Sequence, residues 1–73
     1  MEKQGDLFMA LSDRERDVLR ELVAGRSNAE IAANLHIGVK TVRNMLTRIF
    51  GKLGVQSRSQ AIVLARDGGF APR

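Results

Sequence analysis

No cysteine occurs among the 73 residues of this chain, which excludes a disulfide framework and a thiolate metal site, the two common props of very small folds. Tryptophan and tyrosine are missing too, and phenylalanine occurs three times. That is too few rings for the stacking platform on which single-stranded nucleic acid is held. A single histidine, His36, leaves no second imidazole for a metal, and most of the glycines fall at expected helix ends and form no phosphate-binding loop. No apolar run approaches the roughly 18 residues needed to cross a bilayer, and the opening MEKQGDLF lacks the long apolar stretch of a signal peptide. These absences predict a soluble, cytoplasmic domain without metal or cofactor, and they argue against an enzyme. Glu15, Asp17 and Glu21 are expected to be solvated, and His36 to be a surface turn residue. A chain this short buries only about 60% of its unfolded surface, so one domain is expected, held by packing alone.

What is present is an uneven charge. The net charge is +4, yet residues 1 to 30 hold seven acids against five bases. From Ile31 to Arg66 there is no acid at all, while Lys40, Arg43, Arg48, Lys52, Arg58 and Arg66 all fall there. One half of the domain therefore presents only positive side chains, and a polyanion such as double-stranded DNA is the natural partner.

The chain reads as all-α, a compact four-helix domain with a central helix-turn-helix. Residues 1–10 show no clear period and contain Gly5, and are expected to be a tail or linker remnant with Leu7 and Phe8 folding back on the core; 11–70 form the domain and 71–73 a second tail. Ser12–Glu15, Ser27–Glu30 and Ser57–Gln60 each carry serine three places before Glu or Gln, the reciprocal arrangement that satisfies two free backbone N–H groups at a helix start. The expected helices run from about Asp13 to Ala24, Asn28 to Leu35, Val39 to Leu53 and Arg58 to Asp67, with Gly25, Gly54 and the Gly68–Gly69 pair as stops. Their buried positions are Val18, Leu19, Leu22 and Val23; Ile31, Ala32 and Leu35; Val42, Leu46, Ile49, Phe50 and Leu53; and Ala61 and Ala65 with Ile62 and Leu64.

The second and third helices, joined by His36, Ile37 and Gly38, form a bihelical unit if their axes cross closely, with Ala32 as the small residue at the crossing and Ile37 plugging the turn. Burying Val42, Leu46, Ile49 and Leu53 leaves Lys40, Arg43, Asn44, Thr47, Arg48 and Gly51 facing outward. Arginine grips a guanine edge with two bonds, asparagine does the same for adenine, and threonine offers a hydroxyl and a methyl. Lysine and the second arginine suit phosphates. Such a helix can lie in the major groove and read bases.

The blocks Leu11–Leu19, Gly25–Ala32, Lys40–Asn44, Lys52–Val55 and Arg58, with the spacing between them, resemble the LuxR/GerE-type DNA-binding domain over residues 11 to about 68. The resemblance implies a bacterial transcription regulator whose third helix enters the major groove and whose fourth pairs two copies on a near-palindromic site. It implies base reading by Arg43, Asn44 and Thr47, and phosphate contacts by Thr41, Lys52 and the amino end of the second helix at Ser27 and Asn28. Two positions depart from the family pattern. Gly38 stands where Ser or Thr is usual, losing a hydroxyl that could touch phosphate, and Met45 stands where His is usual and reads as a gap-filling core residue. Arg58 matches an arginine read as structural, tying the fourth helix to an acid such as Glu30 or Glu15.

On the fourth helix, burial of Ala61 and Ala65 leaves Ser59 and Val63 outward, and with Arg66 they are expected to line a weak two-fold contact. The competing function is a protein-binding adaptor or anti-activator that uses this fold without DNA. Such a protein should have lost the bases of the third helix or gained acids there, and this chain has done neither. A receiver or sensor domain ahead of this one in a parent protein is a further partner implied by the resemblance.

Overall fold

The structure is a computed structural model that describes residues 4–70. Residues 1–3 and 71–73, which belong to the two expected tails, lie outside the described residues. The described chain is all helical: α1 (Gln4–Met9), α2 (Asp13–Val23), α3 (Asn28–Leu35), α4 (Val39–Leu53) and α5 (Arg58–Asp67). Helices α2 to α5 coincide with the four expected from serine caps and apolar spacing, apart from Ala24, which closes α2 from just outside it.

The fifth helix, α1, is additional to the four expected and lies in the stretch expected to be a tail or linker remnant with Leu7 and Phe8 folding back on the core. Six residues are too few to show a helical period, and Gly5 lies among them. Tertiary contact holds this turn and a half in place. Phe8 is buried, Leu7 half-buried, and the Arg16 Nε of α2 donates to the Phe8 carbonyl at 3.3 Å. The Phe8 ring packs 5.0 Å from that of Phe70, over which Arg20 is stacked at 5.5 Å. Gly68 makes this closure feasible, since a Cβ there would sit 2.7 Å from the Phe8 ring.

Serine capping works at all three expected starts, though not identically. Ser12 and Ser27 form complete reciprocal boxes with Glu15 and Glu30. Ser57 accepts from the Gln60 N–H at 3.2 Å, but the Gln60 side chain reaches one residue further back, to the Gln56 N–H at 2.7 Å.

The core is one cluster in which Val18, Leu19, Leu22, Ile31, Val42 and Ile49 are fully enclosed. Each such side chain contributes about 1.5–3 kcal/mol of burial free energy. Met45 is buried among them, as expected of a gap-filling residue, while Leu35, Phe50, Ile62 and Leu64 are half-buried at the edge. The closest packing is of α3 and α2 against α4. Between α3 and α4 the chain turns through His36, whose left-handed backbone (φ 60, ψ 44) lets the Ile37 N–H return to the Ala32 carbonyl at 3.0 Å. His36 itself is exposed and Ile37 half-buried against the core, so the turn is plugged as the sequence predicts. Arg14 on α2 caps the carboxyl end of α3 by donating to the Leu35 carbonyl at 2.6 Å.

Candidate nucleic-acid interface

Helix α4 has 15 residues and so extends about 22 Å. Its apolar side, Val42, Met45, Leu46, Ile49 and Leu53, is buried, and this orients the opposite side outward. Lys40, Thr41, Arg43, Asn44, Thr47, Arg48, Gly51 and Lys52 are all exposed. The sequence-derived base-reading residues thus share one face with Lys40, Thr41 and Arg48. The Thr47 hydroxyl donates to the Arg43 carbonyl at 3.1 Å. Its methyl and oxygen lone pairs remain available to a ligand, but its proton is engaged.

The amino end of α4 is bare. Gly38 has extended backbone and provides no side-chain cap. Among the described residues, no carboxylate lies within 4 Å of Lys40 or Arg43. At the carboxyl end the electrostatics differ. Glu15, expected to be solvated, is 5% exposed. It accepts from Lys52 Nζ at 2.8 Å and from the Ser12 N–H at 2.9 Å, with Arg48 Nε 3.7 Å from its second oxygen. The Lys52 hydrogen bond, with that from Ser12 and the charges of Lys52 and Arg48, holds the Glu15 carboxyl below its ordinary pKa against the opposing pull of burial. Lys52 therefore anchors α4 to α2, and a phosphate contact by it would compete with Glu15. The signal for this was present in the sequence. Glu15 precedes Val18, Leu19 and Leu22 at spacings of three, four and seven, on the stripe that faces the core.

The expected phosphate site at the amino end of α3 is also more occupied than the sequence suggests. Ser27 accepts from the Glu30 N–H at 3.1 Å, and the Glu30 carboxylate takes the Ser27 N–H at 2.8 Å. A negative group thus already sits where a phosphate would bind. Asn28 Oδ1 accepts from Arg58 at 2.8 Å, and a second Arg58 nitrogen donates to the Arg26 carbonyl at 2.5 Å. These contacts correct the expectation that Arg58 pairs with Glu30 or Glu15. Both carboxylates are engaged in their own capping boxes, so the guanidinium ties α5 to the α2–α3 turn through neutral acceptors. Arg58, Asn28 and Ser27 line one open hollow with Leu22, Arg26 and Ile62.

On α5, Ser59 and Arg66 are exposed and Val63 is 57% exposed. Ser59 and Val63 line a shallow depression of about 360 Å³ with Gln60, Leu64 and Asp67, and Arg66 is not part of it. Neither a group of metal-ligating side chains nor a helix long and apolar enough to cross a membrane is found among the described residues.

Comparison with known proteins agrees with this geometry. The family model described as bacterial regulatory proteins, luxR family, matches residues 9–65. The chain is 49% identical over 63 residues to a probable HTH-type transcriptional regulator, GfsR, of Streptomyces halstedii, covering 84% of this chain and 26% of that protein. It is 42% identical over 65 residues to the response regulator protein VraR of Staphylococcus aureus and to that of Staphylococcus epidermidis, covering 89% of this chain and 31% of each relative. The chain thus spans between a quarter and a third of the length of these curated relatives. With the family model matching well over half of the chain, around a helix-turn-helix that exposes an acid-free face, the chain belongs to the luxR family of bacterial regulatory proteins and is a DNA-binding module of transcription regulation, not an enzyme.

Proposed function

We propose that this domain binds double-stranded DNA sequence-specifically in the cytoplasm, with α4 in the major groove. In this reading Arg43, Asn44 and Thr47 read bases, and Lys40, Thr41 and Arg48 grip the backbone. Ser27 and Asn28 at the start of α3, and Lys52 in exchange with Glu15, are secondary phosphate contacts. The observation that carries it is the amino-terminal half of α4, where cations and hydrogen-bonding side chains stand exposed with no carboxylate beside them among the described residues. That surface is a poor match for an adaptor that binds another protein without DNA.

Two copies pair weakly through α5, in this proposal, and so match a near-palindromic site. The support is the exposed Val63 beside Ser59, an apolar patch too small for a tight dimer off DNA. Sedimentation showing a stable free dimer would contradict the weak pairing. A receiver or sensor domain preceding this one in a longer parent belongs to the same reading, since relatives several times its length include proteins named response regulators.

Fluorescence anisotropy with genomic duplex fragments tests the DNA reading. The logarithm of affinity should fall linearly with the logarithm of salt, by about 0.9 for each phosphate neutralised. Absence of binding at low ionic strength would refute it.

A further inference from the structure

Val39 stands on the flank of the apolar side of α4, seven residues before Leu46, yet it is left uncovered. It is the first residue of α4 and is 41% exposed, in contrast to the enclosed Val42 two places beyond Lys40. It is not among the hydrophobic residues packed against the core. Helical spacing places Val39, Arg43 and Thr47 in one row, each step of four residues drifting by only about 40° around the axis. The row that holds two of the three base-reading candidates therefore begins with an uncovered branched alkyl group.

Its surroundings leave it open to a ligand. Gly38 in front carries no side chain, and a Cβ there would meet nothing closer than Thr41 Oγ1 at 3.9 Å. In helix-turn-helix proteins the amino-terminal residues of the recognition helix are the ones that meet base edges. The apolar group that the major groove offers at a base edge is the C5 methyl of thymine. A valine in a helix is nearly locked at χ1, so covering that methyl costs little side-chain entropy.

We propose that Val39 reads a thymine through its 5-methyl group, adding an apolar element to the polar code of Arg43, Asn44 and Thr47. The inference rests on the DNA-binding reading above and deepens it. Arg43 and Asn44 select bases by hydrogen bonds, whereas Val39 selects by a contact that exists only where a methyl is present.

The test begins with selection of a binding motif by the full chain from a pool of random duplexes. Each thymine of the motif is then replaced singly by deoxyuridine, which removes the methyl and leaves every hydrogen-bonding group in place. The wild-type chain should lose about fourfold in affinity at one thymine, the equivalent of one buried methyl-sized group. Val39→Ala should bind thymine and deoxyuridine duplexes equally there, Val39→Thr should keep part of the discrimination, and Thr47→Ser should keep all of it. A motif with no methyl-sensitive thymine, or discrimination that survives in Val39→Ala, overturns the role of Val39 alone. Discrimination abolished by Thr47→Ser and not by Val39→Ala assigns the methyl to Thr47 and likewise overturns it. A pool that yields no motif overturns sequence-specific binding itself, and with it this inference.

Discussion

Helices α2 and α4 both carry rows of cations, but they use them differently. On α2 each arginine of the middle turns has a carboxylate three residues away: Arg16 pairs with Asp13 at 3.2 Å, and Arg14 and Arg20 flank Asp17 at 3.7 and 3.1 Å. The field of that helix is cancelled within the helix. On α4 the only cations with an acidic partner among the described residues are Arg48 and Lys52, at the carboxyl end, and their partner Glu15 belongs to α2. Lys40 and Arg43, at the end that would lead into a groove, keep their full charge. Two helices of similar composition in bases thus differ in whether their charge is available to a polyanion, and the difference lies in where the acids stand.

Making α4 resemble α2 should have the largest effect. Lys40→Asp places a carboxylate three residues before Arg43, the spacing of Asp13 and Arg16, and suits a helix amino end, so folding should be unaffected. It removes one cation and neutralises another. Affinity for duplex DNA is expected to fall by about 100-fold or more at low salt, with the salt slope reduced by about two phosphates. Unchanged binding in an anisotropy titration would end the claim that the free charges of α4 matter.

Removing single reading groups is the next step down. Arg43→Ala and Asn44→Ala should each cost about 1–3 kcal/mol at one base position and relax preference there, leaving nonspecific binding largely intact. Binding-site selection with each variant checks this, and an unaltered motif would show that the wrong face has been assigned.

Breaking the ion pairs by which Glu15 of α2 holds α4 should affect stability more than binding. Glu15→Gln keeps an acceptor for the Ser12 N–H but loses the charge that holds Lys52, at an expected cost of about 1–2 kcal/mol in denaturant unfolding. Because the Glu15 carboxyl is held below its ordinary pKa, its contribution is complete above the unfolded value near 4.5 and is lost as pH falls through the lower folded value. The advantage of the wild-type chain over Glu15→Gln should therefore begin to shrink as pH falls below about 4.5 and vanish once the lower folded value is passed. A gap between the two that does not shrink as pH falls below about 4.5 would show that the carboxylate charge is not the cause.

Neutralising α2 itself should matter least. Asp17→Asn releases Arg14 and Arg20 from i, i+3 pairs at the surface of α2 worth about 0.3–0.5 kcal/mol each, and DNA affinity should change by less than about twofold. A large loss of affinity would mean that α2 touches DNA and that the contrast between the helices is misdrawn.

The sequence was most informative where the physics is local. Ser12, Ser27 and Ser57 mark helix starts because capping involves only neighbouring residues, and all three cap in the structure. The outward face of α4 was legible for a related reason: once Val42, Leu46, Ile49 and Leu53 are buried, helical geometry dictates where Arg43, Asn44 and Thr47 point. Helix α1 was not legible, since six residues show no period and their order comes from Phe8 meeting Gly68 and Phe70 some 60 residues away. Glu15 was misjudged by residue type, although its position on the apolar stripe was visible. The partners of Arg58 could not be read because they depend on which acceptors the α2–α3 turn leaves unpaired.

By itself, then, the amino-acid order determined helices α2 to α5, the serine caps and the exclusion of acid from the face of α4, because each follows from spacing along a single helix. The tertiary structure decided which cations are free. A carboxylate neutralises only what it can touch, so the packing of Glu15 against Lys52 and Arg48 leaves Lys40 and Arg43 as the open charges of α4 among the described residues.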